Sequence, residues 1–134
     1  MEKEQEEIEI IKRAGMMAGL RLIENSINTL VAICGDIEKN AGWRENRDDG
    51  TAIALMHSEL SEALEGLRKD LMDEHLPNRK SAEVELADTI IRICSFADMK
   101  GYNLGRTILE KLNYNIGRPD HKKENREKEG GKSF

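Results

Sequence analysis

Apolar positions recur along this chain at helical spacing, and their phase divides it into segments. Ile23, Ile27, Leu30, Val31, Cys34, Ile37 and Ala41 fall at i, i+4, i+7, i+8, i+11, i+14 and i+18. That period predicts an amphipathic helix from Ile23 to the region of Asn40–Gly42. A polar connection with glycine at both ends, 42–50, separates it from a second helix expected near Thr51 to Leu71. There Ile53, Met56, Leu60, Leu64, Leu67 and Leu71 form one apolar seam. Glu59 and Glu62 lie off that seam, on a side shared with Leu55 and Gly66. A merely solvated face seldom carries such neighbours, so this side is expected to be covered too.

A loop over 73–80 contains Pro77 and Asn78, and Ser81 is the expected N-cap of a third helix, Ala82 to about Met99. Val84, Leu86, Ala87, Ile90, Ile91, Ile93, Cys94 and Ala97 cover about half its circumference, which marks it as the centre of a bundle. Glu85, Asp88, Arg92 and Ser95 share the other half, and Gly101 is its stop. A fourth helix after Asn103 carries Leu104, Ile108, Leu109 and Leu112 towards Asn115 and ends before Gly117 and Pro119. The expected organisation is therefore all-α, a four-helix core over 23–117. Residues 1–22 read as an extension able to form a helix on the body or on a neighbouring subunit, although Gly15 and Gly19 weaken a continuous one. Residues 118–134 read as a polar tail, mobile on its own.

Composition agrees with the pattern. Charged residues make up 35% of the chain and aromatics 4%, which favours helix stripes over continuous buried strands. The net charge of −5 makes a nucleic-acid polymer a poor partner, while a small phosphorylated ligand held with a metal fits. No apolar run reaches the roughly 20 residues of a membrane span. The first residues are acidic where a signal peptide would be basic and then apolar, so the expected partners exclude a membrane and the expected address is the cytoplasm. Cys34 and Cys94 sit in apolar helical rows, the place of inert buried thiols rather than of a disulfide or redox pair. Trp43, the single tryptophan, reads either as a packing plug or as a platform for a nucleobase.

The chemistry lies in two acidic pairs. Glu59 with Glu62, and Glu85 with Asp88, are each three residues apart, so each pair points one way from its helix. Two such helices side by side would aim four carboxylates at one point, where mutual repulsion calls for a cation. Mg²⁺ takes oxygen ligands and is commonly shared between carboxylates and substrate phosphates. The plainer alternative is a set of surface acids pairing with Arg68 and Lys69 at helical spacing. A di-iron bundle would need Glu-x-x-His, which His57, His75 and His121 do not supply. The run Gly130-Gly131-Lys132-Ser133 lacks the earlier glycine, strand and helix of a P-loop.

With these motifs in order, the sequence resembles the MazG-like branch of the all-α nucleoside triphosphate pyrophosphohydrolases. Glu59-Leu60-Ser61-Glu62 and Glu85-Leu86-Ala87-Asp88 match its Glu-x-x-Glu and Glu-x-x-Asp, and Gly42-Trp43-Arg44 and Leu55-Met56-His57-Ser58-Glu59 are similar to the family as well. So are the stretch from Lys111 to Pro119 and the closing Gly130 to Phe134. Ser58 stands where many members carry a further acid, the segment between Arg118 and Gly130 is longer than expected, and residues 1–22 lie outside the resemblance.

The resemblance implies hydrolysis of a (deoxy)nucleoside triphosphate between the α and β phosphates, giving the monophosphate and pyrophosphate. It implies Mg²⁺, with Mn²⁺ as a substitute, held by Glu59, Glu62, Glu85 and Asp88, one of which also positions the attacking water. Lys111, Asn115 and Arg118 are the implied phosphate contacts, in a homodimer or homotetramer, and Trp43, on its reading as a base platform, is a further expected substrate contact. The competing expectation is a non-catalytic nucleotide-binding or helical interaction module on the same scaffold.

Overall fold

The computed structural model describes residues 1–128 and 130, and over these the protein is all-helical. Helix α1 spans Glu2–Asn40, α2 Asp49–Lys69, α3 Ser81–Lys100, α4 Leu104–Gly117 and α5 Lys123–Arg126, with a 3-10 turn at Pro119–His121. No described helix is long and apolar enough to cross a membrane. The closing motif from Gly131 to Phe134 lies outside the described residues. Two compact units are present: Asn28–Tyr102, and Met1–Ile27 together with the chain from Asn103 onward.

The expected interruption before Ile23 does not occur. Helix α1 runs straight through Gly15 and Gly19, each costing roughly 1 kcal/mol against alanine, because strong helix formers flank both. Within the unit 28–102, α2 and α3 form an antiparallel hairpin, with Asp49 bonded to Lys100 (2.6 Å) at one end and Gly66 against Ser81 and Ala82 at the other. Helix α2 starts two residues earlier than the apolar seam suggested, because the Asp48 carboxylate accepts a hydrogen bond from the Thr51 backbone N–H (2.8 Å). The expected N-cap at Ser81 is also corrected. Lys80 takes the cap position without a side-chain capping bond, and Ser81 is already helical, its hydroxyl against Gly66.

Helix α1 joins this hairpin through a close approach to α3. The Ser95 hydroxyl donates to the Cys34 carbonyl (3.2 Å), and Gly35 faces Asp98 with no room for a Cβ. Arg44, in the connection after α1, donates to Asp98 (2.6 Å), to the Ser95 carbonyl (3.2 Å) and to Glu38 (3.3 Å), while Arg47 donates to Glu38 (2.6 Å). These bonds fix the segment carrying Trp43.

The buried residues of this unit are small: Val31, Cys34, Gly35, Ala52, Ala63, Gly66, Ala82, Thr89, Cys94, Ser95 and Ala97, with Glu59. Both cysteines are free, as expected of buried thiols. Helix α3, expected at the centre, has Leu86 51%, Ile90 52% and Ile91 46% exposed, and on α2 Leu64 is 49% and Leu67 70% exposed. The helices of one chain meet along their small residues, which leaves the large apolar rows outward.

In the other unit Asn103 caps α4 by accepting from the Arg106 N–H (3.0 Å), and Arg106 reaches Glu110 (3.0 Å) and Glu24 of α1 (3.7 Å). The first part of the tail is more ordered than its composition suggested, since Asn125 donates to the Pro119 carbonyl (2.6 Å) and α5 forms a single turn.

Candidate metal and nucleotide site

Glu59 comes from the middle of α2, and Glu85 and Asp88 from the first half of α3. The hairpin's antiparallel register brings them level, so that one ligand oxygen of each lies within 4.8 Å of the others. Glu59 is buried at 7% exposure, which a carboxylate tolerates only when paired. Its partner is Arg92 of α3, whose Nε donates to Glu59 Oε1 at 2.5 Å.

The acids perturb one another. The Glu85 carboxyl is pushed up to about 7, first by burial, then by a hydrogen bond with Glu59 and by the charges of Glu62, Glu59 and Asp88. Asp88 is raised by burial and by the Glu59 charge, with Asp73 adding to the rise and Arg92 and His75 opposing it. Three half-buried or buried carboxylates with two raised affinities for protons are a site short of positive charge.

The donor set fits Mg²⁺ or Mn²⁺. All three groups are hard oxygen donors, and an octahedral ion with ligands at ~2.1 Å spans ~4 Å between opposite oxygens. Small side-chain rotations would bring the three atoms onto one ion. Glu62 is different: it is exposed, outside the triple, and acts on Glu85 through its charge. It flanks the site one turn along α2.

A cavity of about 500 Å³ borders these acids, lined by Glu59, Asp88 and Arg92 and walled by Ile33, Ile37 and Trp43. That volume suits a nucleotide-sized ligand. Trp43 is 60% exposed, so the plug reading fails, and it lines this cavity. Lys111, Asn115 and Arg118 belong to the other unit, where Lys111 Nζ lies 4.6 Å and Arg118 Cζ 5.9 Å from the Tyr114 ring centre. Arg118 is also paired in a fork with Asp120, and Asn115 Oδ1 is buried without a partner.

Three residues near the acids carried no role in the sequence reading: Arg92, Asp73 and His75. Arg92 was visible as the one cation on the Glu85–Asp88 face, and that was its only signal. Asp73 accepts from the backbone N–H groups of His75 (2.9 Å) and Leu76 (2.7 Å), a turn whose nearness to Asp88 follows from the hairpin alone. No family model matches the chain, and no curated protein or solved structure matches it.

Proposed function

We propose that the protein is a Mg²⁺-dependent nucleoside triphosphate pyrophosphohydrolase of the MazG-like type. The observation that carries this reading is the triple Glu59, Glu85 and Asp88, two of whose members, Glu59 and Asp88, line a nucleotide-sized cavity. The ordered motifs of the sequence supply the reaction class, and the site's chemistry agrees with it.

A bound Mg²⁺ would shield the phosphate charge and polarise the phosphoryl group under attack. The chain's own residues do the rest. Arg92 holds Glu59 in one rotamer, and Asp88 faces the cavity beside it. One of the site's carboxylates would accept the proton of the attacking water. Oxygen from that water bonds to the α phosphorus as the α–β bridging bond breaks, and pyrophosphate leaves with the electron pair. Trp43 offers a face on which a base could stack. The resemblance also assigns phosphate contacts to Lys111, Asn115 and Arg118, each open to a separate alanine test.

The reading includes a homodimer or homotetramer. The outward rows of Leu60, Leu64 and Leu67 on α2 and Leu86 and Ile90 on α3 leave more large apolar surface than a lone helical hairpin sustains in water, and a second copy's helices would complete a four-helix core.

The test is incubation of purified protein with Mg²⁺ and a panel of NTPs and dNTPs, with detection of monophosphate and pyrophosphate. Failure to form both, or full activity in Glu85→Gln, would remove the proposal. Nucleotide-dependent stabilisation without turnover would instead indicate the non-catalytic binding module.

A further inference from the structure

We infer that Arg92 is a phosphoryl-binding residue of this site, anchored through Nε on Glu59 and offering its two Nη nitrogens to a phosphate oxygen of the ligand. The inference rests on the reading of Glu59, Glu85 and Asp88 as a metal and nucleotide site, and it adds a residue that the motifs do not contain.

The argument begins with charge. Glu59, Glu62, Glu85 and Asp88 already concentrate negative charge, and a polyphosphate adds more, so a divalent ion alone leaves an excess. A protein cation is needed at the cavity wall. Three arginines lie in this part of the unit. Arg44 spends its donors on Glu38, Asp98 and the Ser95 carbonyl, and Arg47 is bonded to Glu38. Both line a small neighbouring cavity of about 20 Å³ and neither lines the large one. Arg92 lines that small cavity and also the large one, and it is the single cation among the residues lining the large one.

Arg92 is also the arginine with donors to spare. Apart from Nε on Glu59, it makes no hydrogen bond or ion pair among the described residues. A guanidinium bound side-on through Nε keeps both Nη groups on its far edge, in the planar fork that matches a phosphoryl oxygen pair. Phe96 stands one turn along α3 and lines the same small cavity as Arg92. At 33% side-chain exposure the group is partly withdrawn from water, which strengthens charge-assisted bonds relative to a free surface arginine.

A purely structural ion pair would neutralise Glu59 and do nothing more, and the two roles separate experimentally. Inorganic tripolyphosphate with MgCl₂ would be titrated calorimetrically into the full chain as wild type, Arg92→Met, Arg92→Lys and Arg47→Met. We expect wild type to bind. Arg92→Met should lose about tenfold or more in affinity, and Arg92→Lys a smaller but measurable part, because lysine keeps the charge and loses the fork. Arg47→Met should bind within about twofold of wild type. Should Arg92→Met fail to fold, as judged by circular dichroism, Arg92→Lys carries the decision.

Wild-type affinity in the folded Arg92 variants, or absence of tripolyphosphate binding by the wild type, would overturn the inference. These outcomes are distinct from failure of the hydrolase reading, which shows as missing monophosphate and pyrophosphate from the nucleotide panel.

Discussion

Replacing Gly35 by alanine tests how α1 is held on α3. A Cβ built at Gly35 would stand 2.1 Å from Asp98 Oδ2, 2.2 Å from Cγ and 2.6 Å from Cβ. The last distance matters most, because an Asp98 rotation moves the carboxylate but not its Cβ. The helices must therefore separate, or the carboxylate must leave Arg44, whose 2.6 Å bond to Asp98 is one of four side-chain bonds that tie the 42–47 segment to α1 and α3. Overpacking of this kind costs roughly 1–3 kcal/mol. Alanine recovers about 1 kcal/mol of helix propensity, so the net loss is about 0–2 kcal/mol, and Gly35→Ala should fall roughly 1–3 kcal/mol below the gain seen at an unobstructed glycine. The same helix provides its own control. At Gly15 and Gly19 nothing lies within 4 Å of the place a methyl group would take, so alanine there should stabilise α1 by roughly 0.5–1 kcal/mol. Urea unfolding followed by circular dichroism at one protein concentration would rank the three variants. A Gly35→Ala protein stabilised as much as Gly15→Ala and Gly19→Ala would refute the close approach. If the approach is right, adding Asp98→Ala to Gly35→Ala should recover part of the loss.

Metal-free protein should lose stability as pH rises towards neutrality. Glu85 is raised to about 7 in the folded chain from an ordinary value of 4.5, so the folded state binds more protons between those values. Its contribution is therefore full below about pH 4.5 and gone above about 7. Thermal melts in EDTA across this range should show the decline, and Glu85→Gln should flatten it; an unchanged slope would argue against a shared proton. Mg²⁺ added at pH 8 should raise the melting temperature of wild type, by about 2.7 kcal/mol of stability at a hundredfold excess over Kd, and by less in Glu59→Gln. Leu64→Lys, at a position 49% exposed on α2, should shift the sedimentation profile towards monomer if that row meets a second copy. The fluorescence of Trp43, the single tryptophan, should change on adding a nucleotide with Mg²⁺ and stay constant with tripolyphosphate, as expected of base stacking worth roughly 1–3 kcal/mol.

Much of the secondary structure was legible because helical periodicity is a local property. The apolar seam of α2, the glycine stop of α3 at Gly101 and the Asn103 cap of α4 follow from spacing and cap chemistry within a few residues. Helix ends moved where a polar side chain outweighed the apolar pattern, as at Asp48, and where a good run of helix formers outweighed glycine, as at Gly15 and Gly19. The direction of each acidic pair was also local, since three residues on a helix leave two side chains on one side.

What crosses between helices was decided by tertiary packing. The interhelical distance is set by Gly35, Gly66 and the buried alanines, and that distance determines which carboxylates meet. Glu59 therefore enters the triple while Glu62, its equal in the motif, stays exposed beside it. The pairing of Arg92 with Glu59 and the nearness of Asp73 and His75 to Asp88 likewise arise from the hairpin's register. The sequence alone determined an all-α chain with two acidic motifs on successive helices, because periodicity acts along one axis. Only the fold decided which of those acids share a site and which cation answers them, because burial and charge act across space between segments distant in the chain.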